Sequence, residues 1–215
     1  MKERGMIFNA DMVRAILDGR KTQTRRIVKP QPDEDGLAKV TDGPWVDTSE
    51  RVYRCPFGQP SDRLWVRETW QAIHDSLDEF GNVDERTWMP FIHKAADSYW
   101  HAVYAEEFGV FNREDRGFPW RPAIHMPRWA SRILLEITDV RVERLNAISQ
   151  EDAQAEGMEL TGWRPTYSDP DSGGEVMTPY DNFAELWSSI YGDESWKANG
   201  WVWVISFKRV EGGAA

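Results

Sequence analysis

The stretch LDGRKTQTRRIVKP, residues 17–30, decides how the rest of the chain is read. It packs Arg20, Lys21, Arg25, Arg26 and Lys29 beside the hydroxyls of Thr22 and Thr24, in a chain whose formal net charge is −10. Just upstream, Asn9 can cap a short helix whose apolar stripe is Met12, Val13, Ile16 and Leu17. Gly19 falls at the C′ position, where a left-handed residue ends a helix. Lys21 therefore lies in the turn past the helix. Thr22 to Val28 reads as a strand stopped by Pro30.

Working outward, the charge is uneven. Residues 1–30 hold eight basic and three acidic side chains, so the remainder is more acidic than the total. Such a surface repels a long polyanion, and no duplex DNA partner is expected. A local basic pocket suits a nucleoside or a short single-stranded RNA, or the charges form a solvated face. Twelve tryptophans supply core and also suit a pocket for a planar ligand. Cys55 is the single cysteine, which excludes an intramolecular disulfide and fits a reducing, cytoplasmic setting. Met1 to Met6 lacks the apolar run of a signal peptide, and no stretch approaches a membrane span.

Residues 29–62 are rich in Pro, Gly and Asp and read as an insertion, as do 74–98, 107–129 and 161–177. Arg63 to Trp70 reads as a strand with Leu64, Val66, Glu68 and Trp70 on one face. That face is otherwise apolar, so Glu68 is expected to point inward. Trp100 to Ala105, Arg132 to Ile137 and Val140 to Leu145 are further strands, with a slip of inward parity near Asp139. Ser149 and Asp152 form a capping box for a helix ending at Gly157. Thr178, Pro179 and Asp181 open a helix with Phe183, Leu186, Trp187, Ile190 and Tyr191 as its stripe. Trp201 to Phe207 is apolar on both faces, as a central strand is. With no repeated βαβ units, the expectation is an α+β fold. It is a small, mostly antiparallel β-barrel flanked by helices, in one domain over 1–210 with a flexible tail at 211–215.

The histidines His74, His93, His101 and His125 lack zinc-ligand spacing, one cysteine cannot build a thiolate site, and no phosphate-loop or nucleophile-elbow motif occurs. No metal or cofactor is expected. His125 alone gives a ribonuclease reading little support. What remains is residues 19–26 with the inward Glu68. A buried carboxylate needs a cation or donors, and Lys21 is a candidate partner. A lysine, a hydroxyl and a glutamate converging on a pocket can perform acyl transfer. Equally, Glu68 can make a structural salt bridge with Arg25, Arg26 or Arg67. In an unbroken strand Lys21 and Thr24 would face opposite sides. They converge only if the strand starts after Lys21 or bends near Thr22.

The run Gly19-x-Lys21-x-x-Thr24-x-Arg26 after an amphipathic helix resembles the Gly-x-Lys-x-x-Glu-x-Arg signature of ASCH domains. These belong to the PUA-like superfamily of small β-barrels associated with RNA and modified nucleosides. Val66-Arg67-Glu68-Thr69-Trp70 is similar to the family's second motif strand. Thr24 in place of the motif's Glu is similar to the small bacterial N(4)-acetylcytidine amidohydrolases. The resemblance implies Lys21, Thr24 and Glu68 as a catalytic set hydrolysing N(4)-acylated cytosine nucleosides without a metal. Pro127 to Arg132 extends the resemblance to larger, phage-type ASCH-like proteins. That likeness leaves open a non-catalytic binder of RNA or modified bases with a phage-related role.

Arg26, Arg67 and Trp70, next to these motifs, are candidate substrate contacts. So are Trp120, Arg121 and Arg128, in a proline-stiffened loop where arginine and tryptophan interleave. Such residues stack on unpaired bases and hold phosphates, or else pack the loop on its own scaffold.

Overall fold

The computed structural model describes residues 1–40, 44–88, 99–108, 117–159, 161–164 and 175–210. In chain order the elements are β1 (Glu3–Ile7), α1 (Ala10–Leu17), β2 (Gln23–Ile27), β3 (Ala38–Lys39), β4 (Trp45–Val46), β5 (Val52–Tyr53) and β6 (Arg63–Arg67). There follow β7 (Trp70–Leu77), β8 (Val83–Trp88), β9 (Trp100–Tyr104), α2 (Ala105–Phe108), β10 (Leu134–Arg144) and α3 (Gln150–Ala155). The chain closes with β11 (Thr161–Arg164), β12 (Glu175–Met177), α4 (Pro179–Tyr191), α5 (Asp193–Lys197) and β13 (Trp201–Arg209). The pairings β2–β13, β3–β4, β4–β5, β7–β8, β7–β9 and β11–β12 are antiparallel, so the fold is α+β with antiparallel sheets. Among the described residues the pairings do not define a closed barrel, and no helix is long and apolar enough to cross a membrane.

By density of contacts the chain divides into two compact units. In the first (residues 1–2, 15–63 and 136–209), β13 lies between β10 and β2. Val202, Trp203, Val204 and Ile205 are all buried, which is the both-faces pattern of a central strand. One side is covered by Phe183 and Trp187 of α4, Ala153 of α3, and Leu145 and Ile148. Trp203 meets Trp45 edge-on at 6.1 Å, so the insertion at 29–62 folds as a small antiparallel meander, β3–β4–β5, that carries a core aromatic. The caps read from the sequence are in place. Thr178 and Asp181 close a capping box on α4, and the Ser149 hydroxyl accepts from the Asp152 amide at the start of α3.

In the second unit (3–14, 64–135 and 210–215), β1 lies beside β6, and β7 pairs with β8 and β9. Leu64, Val66, Glu68 and Trp70 are all buried, as the alternation requires. The strand itself stops at Arg67 and a new one starts at Trp70. A second core gathers Trp70, Ala72, Tyr104, Met126 and Ala130.

Several boundaries differ from the sequence reading. The strand β1 was not expected, because Glu3, Gly5 and Ile7 are exposed and of its own residues only Met6 is buried. In the insertion expected at 74–98, residues 74–77 and 83–88 are strand, and 89–98 lie outside the described residues. The two strands expected over 132–145 are one strand of 11 residues. Leu135 and Ile137 are buried on one parity and Val140 on the other, so the parity slip is present without a break in the strand. The middle of the 161–177 insertion, most of 107–116 and the tail at 211–215 lie outside the described residues.

Trp187 is buried against Phe183 and Tyr191, and its indole N–H donates to Ser195 Oγ at 3.1 Å. Trp187→Ala should cost about 3–5 kcal/mol of unfolding free energy. Urea titration of the two proteins measures this, and a loss below about 1 kcal/mol would mean that α4 does not anchor this core.

Candidate functional site

Lys21 sits where the motif places it, in the turn after α1 and before β2. Its backbone N–H donates to Ala15 O at 2.9 Å, and it bridges Glu156 in an isolated antiparallel pair. Its side chain is wholly buried. Nζ donates to Glu156 Oε2 at 2.6 Å and to the Glu156 carbonyl at 2.9 Å. Gly157 permits this approach. Its φ is +92°, and a Cβ there would stand 2.9 Å from Ala15 Cβ and 3.2 Å from Lys21 Cβ. Burial pulls the Lys21 amine below its ordinary value; Glu156 offsets part of that pull, and Arg26 and Arg25 add to it.

Arg25 is also wholly buried. It donates to Gln23 Oε1 at 2.6 Å, Asp152 Oδ2 at 2.8 Å, and Glu156 Oε1 and Glu143 Oε2 at 3.3 Å each. Lys21, Gln23 and Arg25 therefore all turn toward α3 and the residue that follows it. Thr24 is buried too, paired across the sheet with Ile205, and strand alternation puts it on the opposite face of β2 from Gln23 and Arg25. The strand does begin after Lys21, yet the break leaves Lys21 on the side of the odd-numbered residues. The carboxylate that neutralises Lys21 is Glu156 and not Glu68.

Glu68 is buried as expected, and its partner is Arg132, outside the set of arginines proposed for it. Arg132 Nε donates to Oε1 at 3.1 Å and Nη2 to Oε2 at 2.9 Å, a bidentate clamp. The same guanidinium meets Glu106 at 3.1 Å and Glu107, and lies 4.0 Å from the centroid of the Tyr104 ring. Burial raises the Glu68 carboxyl above its ordinary value. Arg132 counters this, while Glu106 and Glu107 reinforce it. Burial works against the Arg132 charge, but three carboxylates share that one guanidinium and hold its proton more tightly than usual. The Tyr104 hydroxyl, buried and donating to Ala130 O at 2.8 Å, is pushed up to about 12.

The other candidate contacts are placed as follows. Arg26 is half-buried, opposite Trp203 in register. Arg67 lies over the Trp65 ring and donates to the Ile124 carbonyl. Trp70 is buried and meets Trp129 edge-on at 5.7 Å, so it is a core residue. Trp120 packs on Phe108 and Phe118. Arg121 pairs its main chain with Trp70 and donates from Nε to Gln71 Oε1 at 2.9 Å. Arg128 binds Glu3 Oε2 at 3.1 Å. These contacts match the reading of the loop as packed on its own scaffold.

Sequence reasoning missed Glu156, Arg25 and Arg132. One signal was present: Asp152 and Glu156 are four apart, one helical turn, and so share a face. Asp152 was read only as a capping residue, whereas its carboxylate is drawn to Gln23, Arg25 and Arg141. Among the described residues no group of three or more His, Cys, Asp or Glu is arranged to hold a metal ion. No protein-family model, curated protein or solved structure matches this chain.

The Glu68 carboxyl yields a pH test. Between its ordinary value of 4.5 and its raised native value, the native state holds a proton that the unfolded chain has released. Native stability should therefore fall as pH rises through that window. Glu68→Gln removes the titrating group and should flatten that part of the curve. Urea midpoints from mildly acid to neutral pH give the comparison; the same slope in both proteins would remove Glu68 as its source.

Proposed function

We propose that this chain is an ASCH-like protein with a PUA-like barrel. Its proposed activity is metal-independent hydrolysis of the exocyclic amide of N(4)-acylated cytosine nucleosides, at a site built on Lys21. The observation that carries the reading is the Lys21 ammonium. It is buried and pinned by two bonds to Glu156, and among the described residues both acceptors of Nζ belong to Glu156. An ammonium has three donors, so one remains for an acceptor brought by a ligand. A carbonyl oxygen that gains negative charge during hydrolysis is such an acceptor.

In this reading Glu68 is the base. A carboxyl raised by burial takes a proton more readily than an ordinary one. It accepts a proton from water, and the oxygen attacks the amide carbon. Collapse breaks the bond from carbon to N4. The amine nitrogen takes the proton from Glu68, leaving cytidine and a carboxylic acid, which releases its proton to water. Thr24 is buried opposite Ile205, on the other face of β2 from Gln23 and Arg25, and in this reading water rather than its hydroxyl attacks. Glu68 enters on motif resemblance and on its burial. A nucleoside or short single-stranded RNA remains the partner of choice, and the cytoplasm the compartment in which such substrates arise.

The bidentate hold of Arg132 on Glu68 favours a second reading, a reader of RNA or modified bases without turnover, because a clamped carboxylate is a poorer base.

A panel of N(4)-acylated cytosine nucleosides separates the two. Wild-type protein should release the free nucleoside. Lys21→Met and Glu68→Gln should each lose about 10²- to 10⁴-fold in kcat/KM. Thr24→Val should keep a measurable rate, and chelator should change nothing. Circular dichroism confirms that each variant is folded. Wild-type turnover equal to that of Lys21→Met would sink the hydrolase and leave the binder.

A further inference from the structure

The first unit holds a cavity of about 150 Å³ at the end of β2 away from Lys21. Ile27, the last residue of β2, and Val202, its register partner on β13, both line it, with Leu145 and Trp187. Leu145, Trp187 and Val202 are buried, whereas Gln31 and Ala198, which also line it, are exposed. The cavity therefore has an apolar floor in the core and a rim open to solvent.

Its walls are pinned. Gln31 Nε2 donates to the carbonyls of Val28 at 2.7 Å and Trp201 at 3.0 Å, and its Oε1 accepts from the Trp201 amide at 2.6 Å. A Cβ at Gly200 would stand 2.9 Å from that Oε1, so the glycine is what admits Gln31. The Trp201 indole N–H donates to Asp33 O at 3.1 Å, and the Arg144 guanidinium lies 4.3 Å from the ring centroid. Closing the cavity would break these bonds, so it is formed before any ligand arrives.

The same bonds set what it can hold. The Gln31 amide and both indole N–H groups are engaged. Ser195, also in the lining, accepts from the Trp187 indole through Oγ at 3.1 Å, and among the described residues no acceptor takes its own hydroxyl hydrogen. A nucleobase or a sugar would leave several polar groups unpaired against such walls. An apolar cavity of about 150 Å³ stays dry and takes up a benzene-sized ring.

We propose that this cavity binds a small molecule with one aromatic ring and one hydrogen-bond acceptor, such as an aryl ketone. The ring fills the apolar floor and the acceptor takes the Ser195 hydroxyl hydrogen. The site is independent of the chemistry proposed at Lys21.

Acetophenone and toluene are the probes, titrated into the full chain with ¹³C-labelled Ile, Leu and Val methyls. Ring currents from either probe should move the methyls of Ile27, Leu145 and Val202 saturably and leave those of Leu64, Val66 and Ile133, in the second unit, in place. In wild type, nuclear Overhauser contacts should link the acetyl methyl of acetophenone to Ser195 and its ring protons to Val202. Ser195→Ala should weaken acetophenone binding about 3- to 10-fold, the net worth of one hydrogen bond, and leave toluene binding unchanged. The methyl spectrum of the free variant reports whether it is folded; if it is not, the wild-type contacts alone place the acceptor. No saturable shift at the three cavity methyls with either probe overturns the site, as do shifts spread equally over both units. Acetophenone bound with its acetyl group on Val202, or a folded Ser195→Ala that binds it as wild type does, overturns the ligand class.

Discussion

A buried ammonium against a buried carboxylate is the constraint around which the first unit is organised. Taking Lys21 and Glu156 out of water is costly, and the cost is offset only because each has further partners. Lys21 has the Glu156 carbonyl, and Glu156 has Arg25, which brings in Asp152, Glu143 and Gln23. The turn after α1, the start of β2 and the end of α3 must all be in register for this array to close. Gly157 is part of the requirement, since a side chain there would press on Ala15 and Lys21. A local error at any of these points would leave an uncompensated charge in the interior. Such arrays therefore favour a single arrangement of the chain even where their net contribution to stability is small.

The second unit solves a similar problem differently. Glu68 faces an apolar interior and is satisfied by one guanidinium that also serves Glu106, Glu107 and the Tyr104 ring. Burial raises the Glu68 carboxyl despite a bidentate partner, and Glu106 and Glu107 on the same arginine add to that. The two arrays differ in chemical character. The one at Lys21 is balanced and holds a cation, and the one at Glu68 is short of positive charge and retains protons.

Much of the scaffold was legible because it depends on local rules. The Asn9 and Thr178 caps, the left-handed Gly19, the alternation from Leu64 to Trp70 and the doubly buried Trp201 to Phe207 follow from spacing and residue type. Strand β1 was hidden because, with Ile7 exposed and Met6 its single buried residue, its five residues show no apolar alternation. The meander at 38–53 was hidden because two-residue strands carry too few positions to show a period. In the site, Lys21 and the burial of Glu68 were legible, and their partners were not. Glu156 lies 135 residues from Lys21 and Arg132 lies 64 from Glu68, distances over which residue type alone does not choose among many candidate charges.

By itself the sequence determined that Lys21 would stand at the mouth of a strand after a short helix, and that Glu68 would be carried inward by the strand's alternation. Both follow from backbone periodicity, which acts over a few residues. Tertiary structure decided which charge meets which. It gave Lys21 to Glu156, Glu68 to Arg132 and Arg25 to a ring of acceptors. It also turned Thr24 away from Gln23 and Arg25, the neighbours that share the Lys21 array. Ion pairing in an interior depends on which groups are brought within about 3 Å of one another while water is excluded, and only the packed chain sets that.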